Sequence, residues 1–207
     1  MKKNPIVVLI LISASYLTFL TPVWATQTLL LLGDSVSASY RMAENQGWVH
    51  LLNNNLKQKN SPYTIINASI SGETTSGGLS RLPDLLKRDP IDYLLIELGG
   101  NDGLRGFSPN IIKNNLLKMI TLAQEKKIKV LLMKIRITPN YGQRYNQMFE
   151  QVFIDVALEK NIPLIPFFME KVIIMPELMQ LDGIHPNITA QPRIADIVEK
   201  QLEQLIN

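Results

Sequence analysis

Ser35 lies in "LLLLGDSVSASY", just beyond the apolar run Thr28–Leu32, where a buried strand would end. The G-x-S start suggests a nucleophile, but Val36 and Ser37 leave the G-x-S-x-G elbow incomplete. A serine in that place also serves as a helix cap. Three other stretches carry sparse residues of chemical interest: "NASISGET" with Gly72, "ELGGNDGLRG" with Asn101 and Asp102, and "LDGIHPN" with Asp182 and His185. A serine hydroxyl attacks an acyl group only when a base removes its proton, and histidine titrates in the range for that task. The chain has two histidines, His50 and His185. Asp182 precedes His185 by three residues, so its carboxylate can reach the ring within one turn, hold the tautomer and stabilise the imidazolium. A developing oxyanion needs preorganised donors, which the N–H groups of Ser35 and Gly72 and the Asn101 amide could supply.

Each residue has a plainer reading. Gly72 suits a turn with positive φ, and Asn101 and Asp102 suit the cap of a following helix. Asp182 and His185 fit a hydrogen-bonded turn or a pair of metal ligands. No third and fourth ligand lies at a convincing spacing, so no metal is expected. His50 falls in an amphipathic run and reads as a surface or packing residue. Gly-rich loops also cradle phosphate, yet neither G-x-G-x-x-G nor G-x-x-x-x-G-K-[ST] occurs.

The elements that must position these residues alternate in type. Short apolar runs at Thr28–Leu32, Tyr63–Ile66, Tyr93–Leu98, Val130–Ile135 and Pro163–Ile165 read as strands buried on both faces. Helical patterns fall at about Asn45–Lys59, Leu79–Arg88, Pro109–Lys126, Tyr141–Lys160 and Ala190–Leu205. Such alternation predicts βαβ units, hence an α/β fold with a parallel sheet and helices on both faces. Right-handed crossovers put every strand-to-helix loop on one sheet edge, where ligands bind in open α/β sheets. Ser35, Gly72 and Asn101 occupy three of those loops. Singly, the plain readings compete; together, four elements fill four roles of one reaction.

The combination resembles the SGNH (GDSL) hydrolase family: "GDS" at 33–35, Gly72, "GGND" at 99–102 and "DGIHP" at 182–186 match its four blocks in order. "NYGQRYN" and "PFFME" are similar to a periplasmic subgroup of Gram-negative bacteria, and the resemblance covers Leu29 to Ile206. It implies Ser35 as nucleophile, His185 as base, Asp182 as its orienting carboxylate, and an oxyanion hole of Ser35, Gly72 and Asn101. It also implies a three-layer α/β/α sandwich around a five-stranded, flavodoxin-like sheet. The subgroup cleaves thioesters, lysophospholipids and small aryl or acyl esters without metal or cofactor. Ile70, Ile135, Ile137 and Phe168 are then expected to line an acyl groove. This chain has Ser39 where the subgroup usually has Gly, and Val36 where it commonly has Leu. It also departs around Ile137, Thr138 and Pro139, in a loop that bounds the acyl chain.

Residues 1–25 read as a secretory signal peptide: Lys2-Lys3, an apolar run from Ile6 to about Leu20, then "VWA" with cleavage after Ala25. An uncleaved anchor is the alternative, since Ile6–Trp24 could almost span a bilayer. Residues 26–207 form one hydrolase domain. With the leader's two lysines removed, 19 basic residues face 18 acidic ones, a balance that gives no support to a nucleic-acid partner. The chain has no cysteine, which excludes disulfides, a thiol nucleophile and lipidation at a processed cysteine. The expected protein is exported, monomeric and free of stable membrane insertion once cleaved. It would act on a small acyl ester, thioester or lysophospholipid. Two other readings remain at this level: a glycan deacetylase, and a flavodoxin-like module binding a phosphate-bearing ligand.

Overall fold

The computed structural model describes residues 26–88 and 90–206; the predicted signal peptide lies outside the described residues. Five strands form one sheet: β1 (Gln27–Gly33), β2 (Tyr63–Asn67), β3 (Tyr93–Glu97), β4 (Lys129–Lys134) and β5 (Leu164–Pro166). Every pairing is parallel, in the order β2-β1-β3-β4-β5. Leu30 pairs with Ile66 on one side and Leu94 on the other, and all five residues of β3 are buried. Strands shielded on both faces carry continuous rather than alternating hydrophobicity, which is the pattern of these runs.

Among the described residues, six helices flank the sheet: α1 (Trp48–Gln58), α2 (Thr75–Arg88), α3 (Gly100–Leu104), α4 (Pro109–Glu125), α5 (Gln143–Lys160) and α6 (Gln191–Glu203). The chain runs from β1 outward to β2, then reverses to β3 and onward. Right-handed crossovers consequently send α1 to one face and α2, α4 and α5 to the other. Helix α6 joins α1, completing the expected three-layer α/β/α sandwich. The reversal leaves a crevice between the carboxyl ends of β1 and β3, the switch point where such sheets bind ligands.

Two elements differ from their sequence pattern for local reasons. Ser35 does not begin a helix; residues 35–41 form successive turns, with the Ala38 N–H donating to the Asp34 carbonyl at 3.0 Å. Ser39 stands in this segment at φ 56°, a left-handed conformation that explains why a glycine suits the position. Helix α2 starts at Thr75, four residues before the sequence pattern suggests. "TSGG" has poor helix propensity, but the Asp102 carboxylate accepts the Thr75 N–H at 2.8 Å and so caps the first turn.

Gly99 sits between β3 and α3 at φ 120°, and a Cβ there would lie 2.9 Å from the Phe153 ring. Gly99→Ala is expected to destabilise the fold by about 1–3 kcal/mol, through backbone strain and displacement of that ring. Chemical denaturation of the variant beside wild type measures this, and unchanged stability would contradict it.

Candidate active site

The loop after β1 delivers Ser35, and the loop between β5 and α6 delivers Asp182 and His185. Nε2 of His185 lies 2.8 Å from Ser35 Oγ, and its Nδ1 lies 2.9 Å from Asp182 Oδ2. Asp182 also accepts the N–H groups of Ile184 and His185 through Oδ1, each at 3.0 Å. Burial pushes the Asp182 carboxyl up, but those two N–H groups and the imidazole outweigh it and hold it at about 2. An ionised carboxylate only accepts, so Nδ1 carries the proton and Nε2 is left to accept the serine hydroxyl.

The turn that presents His185 is fastened locally. Gly183 occupies φ 67°, the Gln180 N–H donates to the His185 carbonyl at 2.8 Å, and Gln180 Nε2 bridges the carbonyls of Tyr40 and Pro186. The Tyr40 ring lies 4.2 Å from the imidazole centroid, tilted by 32°. Asn187 accepts the Thr189 and Ala190 N–H groups while donating to the Glu177 and Met179 carbonyls. These bonds give the His185 ring a fixed orientation although it stands on a loop.

Asn101 lies on the first turn of α3 and donates from Nδ2 to Asp34 Oδ2 at 3.1 Å. An amide nitrogen carries two hydrogens, so one remains for the cleft. Gly72 turns at φ 78°, and Arg105, which follows α3, holds its carbonyl at 3.1 Å. The Gly72 loop and the Asn101 helix are thus joined directly.

A cavity of about 490 Å³ opens from Ser35, Asn101 and His185. Val36, Leu104, Ile135, Ile137, Phe167 and Met169 supply much of its wall. Ile135 and Ile137, expected along an acyl groove, line this cavity. Phe168 does not: it is fully buried, 5.6 Å from the Trp48 ring, and its neighbour Phe167 faces the cavity. Phe167 has extended backbone just before a 3₁₀ turn, and its ring, tilted by 52° and 5.4 Å from that of Phe168, takes the cavity side. Ile70 is half exposed and borders a different cavity. His50 is an exposed residue of α1.

Behind the site lie two buried carboxyls that sequence reasoning missed as a unit. Asp34 accepts the Val36 N–H and the Asn101 amide, each at 3.1 Å. Glu97 accepts the Asp34 N–H at 3.2 Å and the Ser37 hydroxyl at 2.9 Å. Burial raises Asp34 to about 6, and burial together with the Asp34 charge pushes Glu97 well above the usual carboxylate range. The signal in the sequence was an acid closing the apolar run "YLLIE". Among the described residues, no group of three His, Asp or Glu side chains could hold a metal.

Residues 31–191 match the model of the GDSL-like lipase/acylhydrolase family. The chain belongs to that family. It is 49% identical to thioesterase 1/protease 1/lysophospholipase L1 of Escherichia coli K12, over 88% of this chain and 86% of the relative. It is 48% identical to an arylesterase of Vibrio mimicus, over 86% and 89% of the two chains. Among solved structures it resembles the psychrotrophic esterase EstA from Pseudoalteromonas sp., inhibited by monoethylphosphonate. The TM-score is 0.86 at 41% identity, covering 87% of this chain and 99% of that one. The family assignment made from four short motifs therefore holds over most of the chain.

A carboxyl whose native pKa is raised takes up a proton on folding, so its contribution to stability falls as pH rises through the native value. Glu97→Gln abolishes that titration while keeping an acceptor for Ser37. The variant's melting temperature relative to wild type is expected to rise as pH increases above the ordinary glutamate value of 4.5. A difference that stays constant across that range would show that Glu97 ionises alike in the folded and unfolded chain.

Proposed function

We propose that this protein is a serine hydrolase that cleaves acyl esters and thioesters through an acyl-enzyme on Ser35. The observation that carries the reading is the Asp182–His185–Ser35 chain of contacts at 2.9 and 2.8 Å, opening into an apolar cavity. Ser35 Oγ attacks the carbonyl carbon while His185 Nε2 takes its proton. Asp182, held ionised, stabilises the imidazolium and keeps the ring's orientation. The carbonyl oxygen gathers negative charge and is met by the N–H groups of Ser35 and Gly72 and by the second hydrogen of Asn101 Nδ2. His185 then returns the proton to the leaving alkoxide or thiolate. Water, deprotonated by the same nitrogen, attacks the acyl-enzyme and releases a carboxylic acid.

The wall of Ile135, Ile137, Phe167 and Met169 suits an alkyl chain and offers a sugar few polar partners. Fatty acyl thioesters, aryl esters and lysophospholipids are accordingly the substrate classes assigned. The names of the relatives support the same classes. The leader-like layout of residues 1–25 supports export to the periplasm or beyond. Among the described residues no helix is long and apolar enough to cross a membrane.

Ser35→Ala is expected to abolish turnover of a p-nitrophenyl acyl ester, and wild-type turnover by that variant would overturn the assignment. Asp182→Asn keeps the shape but removes the charge that fixes the tautomer, so kcat should fall by about 10⁴-fold. Steady-state kinetics on the same ester measures it; a loss confined to KM would place Asp182 outside the catalytic machinery.

A further inference from the structure

Among the described residues the Asn101 side chain makes one hydrogen bond, from Nδ2 to Asp34 Oδ2 at 3.1 Å. The two edges of an amide have nearly the same shape, so a half turn exchanges the NH2 group and the oxygen in place. Packing alone does not choose between them; hydrogen bonds do. The choice matters because the second hydrogen of Nδ2 is the one assigned to the oxyanion. Turned over, Asn101 would set an acceptor oxygen against the developing negative charge.

Asp34 makes the choice through its other bonds. Its Oδ1 accepts the Val36 N–H at 3.1 Å, and its own N–H donates to Glu97 Oε2 at 3.2 Å. The side chain is almost wholly buried, so swinging away would leave the Val36 N–H unpaired. Gly100, next to Asn101, leaves room for the approach: a Cβ there would lie 3.1 Å from Asp34 Oδ2. An ionised carboxylate only accepts, and the edge of Asn101 that matches Oδ2 is therefore the NH2 edge. An amide at position 34 could not serve both neighbours in this way. Its oxygen would be needed by the Val36 N–H, and its NH2 would face Asn101. These groups then all pair only if Asn101 turns over.

We propose that Asp34 is a positioning residue of the oxyanion hole: its carboxylate selects the orientation of the Asn101 amide that aims a hydrogen into the cleft. The proposal rests on the acyl-transfer reading and adds to it a residue that acts through Asn101.

A double-mutant cycle on a p-nitrophenyl acyl ester tests it. Asn101→Ala is expected to lose about 10²–10³-fold in kcat, the cost of one oxyanion donor. Asp34→Asn, although it conserves shape, should lose at least as much, with KM little changed. Combined with Asn101→Ala, it should cost nothing further, because no amide is left to turn. A role confined to the packing of the serine loop would instead make the two losses multiply.

Side-chain amide NMR of the wild-type chain gives a second measurement, which stands even if Asp34→Asn fails to fold. One Asn101 amide proton should already lie downfield through its bond to Asp34. The other should move downfield when a phosphonate is attached to Ser35, while the first stays in place. Wild-type turnover by Asn101→Ala would end the oxyanion role of Asn101 and the proposal with it. A slow Asn101→Ala beside an Asp34→Asn that matches wild type would keep that role and overturn the proposal alone. Losses that multiply in the double variant, or an Asp34-bonded proton that is absent or shifts away on phosphonylation, would do the same.

Discussion

The Asp34 carboxylate holds the Val36 N–H with one oxygen and the Asn101 amide with the other. It thereby fastens the loop after β1 to the helix after β3, across the crevice where the sheet order reverses. Every other feature of the site is measured from that tie. Ser35 is the next residue in the chain, and Asn101 is placed by the bond itself. Arg105 then extends the connection from α3 to Gly72. Glu97 fixes the Asp34 backbone from below, accepting its N–H and the Ser37 hydroxyl. The sheet brings the loops to one edge, but only such polar ties convert neighbourhood into geometry good to fractions of an ångström.

Glycines allow these parts to approach. A Cβ on Gly33 would collide with Glu97 Oε2 and Ser69 Oγ, so the last residue of β1 must be bare for the acid to lie beneath the serine loop. Gly78 brings α2 against Leu98 and Leu32, which lets Asp102 reach across to Thr75. The same Thr75 hydroxyl accepts from Asn115 of α4, at 3.0 Å. A buried polar network of this kind specifies one arrangement strongly because each unsatisfied member would be costly.

The sequence made the scaffold legible because hydrophobic runs, crossover handedness and the turn residues around Gly72 and Gly183 all act locally or through a general rule. The five strands lie within about two residues of their apolar runs. The contact between Asp182 and His185 was legible for a different reason: only two histidines exist, and only one has an aspartate within a turn. What escaped was set by tertiary direction. Phe167 and Phe168 are chemically identical neighbours, and which one faces the cleft depends on where a 3₁₀ turn begins. Ile70 sits in the right loop but points to another cavity. Tyr40, tilted against the His185 ring, follows a left-handed Ser39 that its residue type does not announce. Glu97 reads as a strand ending at a loop, whereas it is almost wholly buried beneath one.

Three carboxyls near a single serine are driven in opposite directions by their surroundings, and this separates their tasks. Asp182 stands at the surface end of the site with two N–H groups and an imidazole on it, and it stays ionised down to about 2. That contribution to stability is present above its ordinary value of 3.8 and lost as pH falls towards 2. Asp34 and Glu97 lie under the serine loop with too few donors to offset burial, and their protons are retained to higher pH. Their contribution runs the other way, diminishing as pH rises through the native values.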